Sequence, residues 1–167
     1  AGTLFENNTI TTDDGNNYNI IEIWGYEDNP AILNISGSAF QNNKSDSGSI
    51  IRVFGEDDKV TISGSKFLNN ETYNGLIWNH SEDLSNGGAI EQFIGGTIEI
   101  SNSLFEGNKS TDSNGIIFNE TGGNITISES IFKNNSVSDG HSGGAILNVG
   151  SLTITNSFFE GNSADYG

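Results

Sequence analysis

The sequence contains no cysteine, no methionine, one proline and only six lysines and arginines among 167 residues. Without cysteine it has neither disulfide staples nor thiol chemistry. Its few cations face 22 acidic residues, so the formal net charge is −16. Such a chain repels nucleic acid and anionic lipid, and nucleic acid is set aside as a partner. No apolar run approaches the roughly 18 residues that a spanning helix needs, so no membrane insertion of this segment is expected. The chain opens on Ala1 without a leader pattern, which reads as a processed chain or an excised piece. The hydrophobic fraction is 33%, low enough to raise the question of disorder. Residue order argues against disorder, because aliphatics and Phe recur in phase. The missing apolar mass is replaced by Gly, Ser, Thr and Asn, the residues of short strands and tight turns.

The recurrence is an internal repeat. The segment from Leu152 to Asn162 has relatives at Leu33 to Asn43, Val60 to Asn70, Ile98 to Asn108 and Ile125 to Asn135. A partial copy begins at Phe5. The shared pattern is aliphatic-x-Ile-[Ser/Thr]-x-Ser-x-Phe-x-x-Asn. Successive Phe residues at 5, 40, 67, 105, 132 and 159 are 35, 27, 38, 27 and 27 apart. The unit is therefore about 27 residues, with insertions expected near 9–18 and 71–86. A second β-prone block separates the Phe blocks. It reads Asn19-Ile20-Ile21-Glu22-Ile23, Gly48-Ser49-Ile50-Ile51, Gly87-Gly88-Ala89-Ile90, Gly115-Ile116-Ile117-Phe118 and Gly143-Gly144-Ala145-Ile146-Leu147.

A unit of 27 residues is too short for a propeller blade, and no helical period accompanies it as in leucine-rich repeats. Two or three strands of three to five residues, joined by turns, make one rung of a solenoid. The expected fold is all-β: a single-stranded parallel β-helix of five to six coils, one domain over residues 1–167. Stacked rungs place equivalent residues about 4.8 Å apart. Leu152 and Ile154 should point inward and Thr153 outward, with Asn34, Thr61, Glu99 and Thr126 at the matching outward positions. Phe40, Phe67, Phe105, Phe132 and Phe159 should form an internal column, and Ser38, Ser65, Ser103, Ser130 and Ser157 a column of hydroxyls at a bend. Asn43, Asn70, Asn108, Asn135 and Asn162 should form an amide ladder at a turn.

Gly-Gly-Ala-Ile at 87–90 and 143–146, with Phe-x-x-Asn at six positions, resembles the repeat of chlamydial polymorphic outer membrane proteins. The pattern resembles still more closely the Asn-rich adhesin-like proteins of methanogenic archaea. The resemblance implies a right-handed β-helix displayed outside the cell, often in long arrays and often in adhesion. The segments at 48–51, 75–78 and 115–118 depart from Gly-Gly-Ala-Ile. No membrane barrel of the chlamydial type is present in this piece.

Three features are candidate sites. Glu27 and Asp28 occupy the same turn as Glu56, Asp57 and Asp58 one coil later. Stacked like charges repel, and a Ca²⁺ ion with oxygen ligands would relieve them, although a solvated acidic turn explains them too. No other cofactor is expected. The second insertion carries Tyr73, Trp78 and His80, an aromatic set able to hold a sugar face; alternatively, Leu76, Ile77 and Trp78 pack onto the coil wall. Asn-x-Ser/Thr acceptors for N-glycosylation occur at Asn7, Asn34, Asn43, Asn70, Asn79, Asn108, Asn119, Asn124 and Asn134. His80 and His141 fall in predicted loops, Arg52 is the one arginine, and no catalytic cluster recurs along a wall. The chain is expected to be a non-enzymatic, extracellular cell-surface stalk or adhesin-like scaffold. Its partners would be cell-surface glycans or proteins, or copies of itself in a filament. A β-helix carbohydrate-active enzyme is the rival class.

Overall fold

The computed structural model describes residues 2–11, 19–23, 25, 29–53, 57–73, 76–79, 96–111, 115–119, 122–138 and 140–166; at 53 and 77–79 it describes the backbone alone. Among these residues there is no helix, and the strands form four parallel sheets. Each complete coil contributes a strand to each sheet, so the sheets are the walls of a parallel β-helix.

The opening wall contains Ile21–Ile23, Ile51–Val53, Ile77–Asn79, Ile117–Asn119 and Ile146–Asn148. The long wall contains Ile32–Ser36, Lys59–Ser63, Thr97–Ser101, Asn124–Ser128 and Ser151–Thr155. The Phe wall follows with Leu4–Glu6, Ala39–Gln41, Lys66–Leu68, Leu104–Glu106, Ile131–Lys133 and Phe158–Glu160. A fourth wall of two residues closes the coil: Thr9–Ile10, Lys44–Ser45, Glu71–Thr72, Lys109–Ser110 and Ser136–Val137. This fourth wall lies beyond the two or three strands expected from sequence, because two residues are too few to display a period.

The long wall is built by alternation. Val60, Ile62, Ile98, Ile100, Ile125 and Ile127 are buried, while Asn34, Thr126 and Thr153 are exposed and Thr61 and Glu99 half-buried. On the opening wall, neighbours Ile50 and Ile51, like Ile116 and Ile117, are both buried, because a corner precedes each strand. Its member in the coil with the longest spacing is Ile77–Asn79, with Ile77 opposite both Ile51 and Ile117. This replaces Gly87-Gly88-Ala89-Ile90, which lies outside the described residues. Leu76 is buried in the core, so this stretch packs onto the wall instead of forming part of an insertion. Glu71–Thr72 is likewise an ordinary strand.

Phe5, Phe40, Phe67, Phe105, Phe132 and Phe159 stand in single file, with ring centroids 4.5, 4.7, 4.8, 4.6 and 4.9 Å apart and planes within 4° of parallel. The ring spacing is that of the backbone, so strand register dictates the stacking.

Two corners turn the chain through left-handed residues. Gly37, Gly64, Asn102, Glu129 and Asn156 separate the long wall from the Phe wall, with φ between 48° and 55°. Asn7, Asn42, Asn69, Gly107, Asn134 and Gly161 follow the Phe wall, with φ between 51° and 66°. These are the conformations that Gly and Asn adopt most easily. Glu129 is the exception among them.

Each corner carries a self-satisfying polar column. The Ser38, Ser65, Ser103, Ser130 and Ser157 hydroxyls donate to the carbonyls two residues back. Each also accepts the backbone N–H at the equivalent position one coil earlier, as from Ser65 N to Ser103 Oγ at 3.2 Å. At the second corner, Asn70 Nδ2 donates to Asn108 Oδ1 at 3.0 Å and to Phe40 O at 2.9 Å, while Asn70 N–H shares that same Oδ1. The pattern runs unbroken from Asn8 through Asn43, Asn70, Asn108 and Asn135 to Asn162. A buried amide is tolerated only when its donors and acceptor are engaged, and here the repeat supplies every partner.

Three substitutions test these columns by urea denaturation. Phe105→Ala should cost about 4 kcal/mol through loss of a buried ring. Asn108→Ala, which orphans two donors of Asn70, should cost about 3 kcal/mol. Glu129→Gly should instead gain about 0.5–1 kcal/mol by relieving left-handed strain.

Candidate functional site

Of the acidic turn, Glu27, Asp28 and Glu56 lie outside the described residues, and the structure places Asp57 and Asp58 apart in environment. Asp57 is exposed. Asp58 is 1% exposed, and both of its oxygens are engaged by backbone. Ala31 N–H donates to Oδ1 at 2.7 Å and Gly25 N–H to Oδ2 at 3.2 Å, both from the preceding coil. The register puts Asp58 level with Ala31, Gly96, Gly123 and Gly150. One carboxylate therefore fills a corner that later coils leave to glycine. A Cβ on Gly25 would collide with the Asp58 carboxylate and with Ala31 N, so Gly25 and Asp58 act as a fitted pair. Among the described residues, no three His, Asp or Glu side chains gather as a metal site.

Tyr73 is 42% exposed at the end of a two-residue strand. Trp78 lies in an opening-wall strand, where only its backbone is described, and His80 lies outside the described residues.

The nine N-glycosylation acceptors divide sharply. Asn43, Asn70, Asn108 and Asn119 are buried. The first three donate both Nδ2 hydrogens inside the ladder. Asn119 Nδ2 donates to Asn148 Oδ1 at 2.6 Å and Ser151 O at 2.9 Å, while its Oδ1 has no partner among the described residues. Asn7, Asn34, Asn124 and Asn134 are exposed, and the Asn79 side chain is outside the description. The Asn119–Asn148 contact is a short second amide column that the sequence reading missed. Its signal was Ile-x-Asn at 77–79, 117–119 and 146–148.

Most cations bridge coils. Lys59 reaches Glu99 at 2.8 Å, Lys133 reaches Glu160 at 3.1 Å, and Arg52 approaches Glu22 at 3.8 Å. Lys44 lies 3.3 Å from Asp46 and 3.5 Å from Glu71. The hydrogen bond to Asp46, with Glu71 beside it, holds the Lys44 ammonium above the usual lysine range. The pairs of Lys44, Lys59 and Lys133 are exposed on both sides, and such pairs add little to stability.

Comparisons with family models, curated proteins and solved structures return no match for this chain.

Asp58→Ala should lower stability by about 2–3 kcal/mol, because it leaves two N–H groups buried without an acceptor. With Asp58 already spent on backbone, Ca²⁺ or a chelator should leave the melting temperature unchanged. Calorimetry of the two proteins, each with and without the ion, checks both outcomes.

Proposed function

We propose that this chain is a section of an extracellular, cell-surface stalk of the adhesin-like kind, a stiff scaffold that carries binding segments away from the surface. The observation that carries this reading is the continuity of the Phe, Ser and Asn columns through every coil. Columns fixed at the strand spacing make bending costly, since tilting one rung opens hydrogen bonds at two corners at once. The repeat resemblance adds the extracellular setting, and the net charge of −16 suits a solvated surface without nucleic acid or anionic lipid as partners. Surface glycans or proteins are the proposed ligands, held through Tyr73, Trp78 and His80.

A glycan and cell-wall polysaccharide array tests the adhesin half of the proposal. Binding should disappear when residues 80–95 are replaced by a short Gly-Ser linker and weaken in Tyr73→Ala, with melting unchanged in both. Binding that survives both changes removes the ligand segment. Absence of binding to any surface glycan or protein leaves a spacer. Immunogold labelling of unpermeabilised source cells tests location, and a signal confined to the interior overturns the surface assignment.

A further inference from the structure

We propose that Asn7, Asn34, Asn124 and Asn134 are acceptors for an N-linked glycan on the folded chain, and that folding itself protects Asn43, Asn70, Asn108 and Asn119 from the same modification. The inference rests on the extracellular reading for its biological setting and on geometry for its selectivity.

All eight residues stand in the same Asn-x-Ser/Thr tripeptide, so sequence alone gives a transferase no reason to choose. The fold divides them. In N-glycosylation, Nδ2 bonds to C1 of the sugar. The C1–O bond to a lipid-diphosphate donor breaks, the diphosphate leaves with the bonding pair, and one Nδ2 proton is released. The acceptor nitrogen must therefore be reachable and must surrender a hydrogen.

Asn70 and Asn108 meet neither condition. Each is at most 1% exposed, and each already donates one hydrogen to a Phe carbonyl and the other to the next amide in the ladder. Asn43 is equally committed, to Phe5 O at 3.1 Å and Asn70 Oδ1 at 2.9 Å. Asn119 is buried behind Asn148 and Ser151. A sugar at any of these positions would break the column and push a polar ring into the core.

The other four have open sides. Asn7 and Asn134 sit at the left-handed corner just before a ladder residue, with φ of 55° and 52°. That corner turns the side chain at one position outward and the next inward. Asn134 and Asn135 are therefore neighbours in sequence with opposite fates, exposed and buried. Asn124 begins a long-wall strand beside Gly123, and Asn34 lies at an outward position of the first long-wall strand.

A glycan added to the unfolded chain at Asn43, Asn70 or Asn108 would be incompatible with the ladder, so chains modified there do not close their coils.

The test uses a purified single-subunit oligosaccharyltransferase, a lipid-diphosphate-linked oligosaccharide and the folded 167-residue chain. Synthetic peptides spanning each of the eight tripeptides serve as unfolded acceptors, and occupancy is mapped by mass spectrometry. The folded chain should carry glycan at one or more of Asn7, Asn34, Asn124 and Asn134. At each of Asn43, Asn70, Asn108 and Asn119 its occupancy should be at least about tenfold below that of the matching peptide, the factor expected for losing one buried hydrogen bond. Occupancy within that factor at any buried position, or none at all four exposed positions while their peptides are modified, overturns the inference. The reconstituted reaction does not depend on where the chain resides, so its failure is separable from failure of the surface assignment.

Discussion

Exact superposition of equivalent residues, one coil above another at the spacing of a parallel sheet, is the constraint on which the rest of this structure depends. A parallel pair fixes its register along the whole strand, and a shift by one residue would turn the long wall inside out. Once Phe67 lies opposite Phe105, the following corner places Asn70 against Asn108, and the preceding bend places Ser65 against Ser103. The polar columns are consequences of the apolar register, and they also enforce it, because an amide or hydroxyl out of file has no partner.

This explains how a chain with few apolar residues holds a core. Each coil needs only a handful of apolar side chains, such as Ile50, Ile51, Val60, Ile62 and Phe67, all buried. The corners, which in other folds need covering, are closed by their own side chains. Asp58 shows how a single coil departs from the pattern at little cost: a carboxylate takes the place of glycine, and Gly25 vacates the volume it needs.

The coil, its period and the Phe, Ser and Asn columns were legible in the sequence because each recurs five or six times in phase. The alternation of the long wall was legible for the same reason. The fourth wall was hidden, since two residues such as Lys44–Ser45 cannot express a period of two. In one coil the sequence offered two stretches for the opening wall, Gly87-Gly88-Ala89-Ile90, which matches the motif of a later coil, and the departing copy at 75–78; Ile77–Asn79 occupies the strand position. The left-handed corner was readable in retrospect: only Asn and Gly stand at positions 7, 42, 69, 107, 134 and 161. Of the acidic turn, only the role of Asp58 is described by the structure, and it was not legible. Sequence placed charges together, but it carried no sign that Asp58 turns inward to backbone donors.

The amide ladder also has a sense. From Asn8 to Asn135 every amide-to-amide bond runs from Nδ2 to the Oδ1 of the later coil, the second hydrogen from Asn43 onward returns to a Phe carbonyl of the earlier coil, and the Ser-corner N–H groups point toward the later coil. Small dipoles aligned head to tail make the rod a vector, with hydrogen donors leading and oxygen lone pairs trailing. A coil offered upside down would set donor against donor along both corners. Growth of such an architecture, whether by gene duplication or by design, is therefore restricted to units added in one orientation.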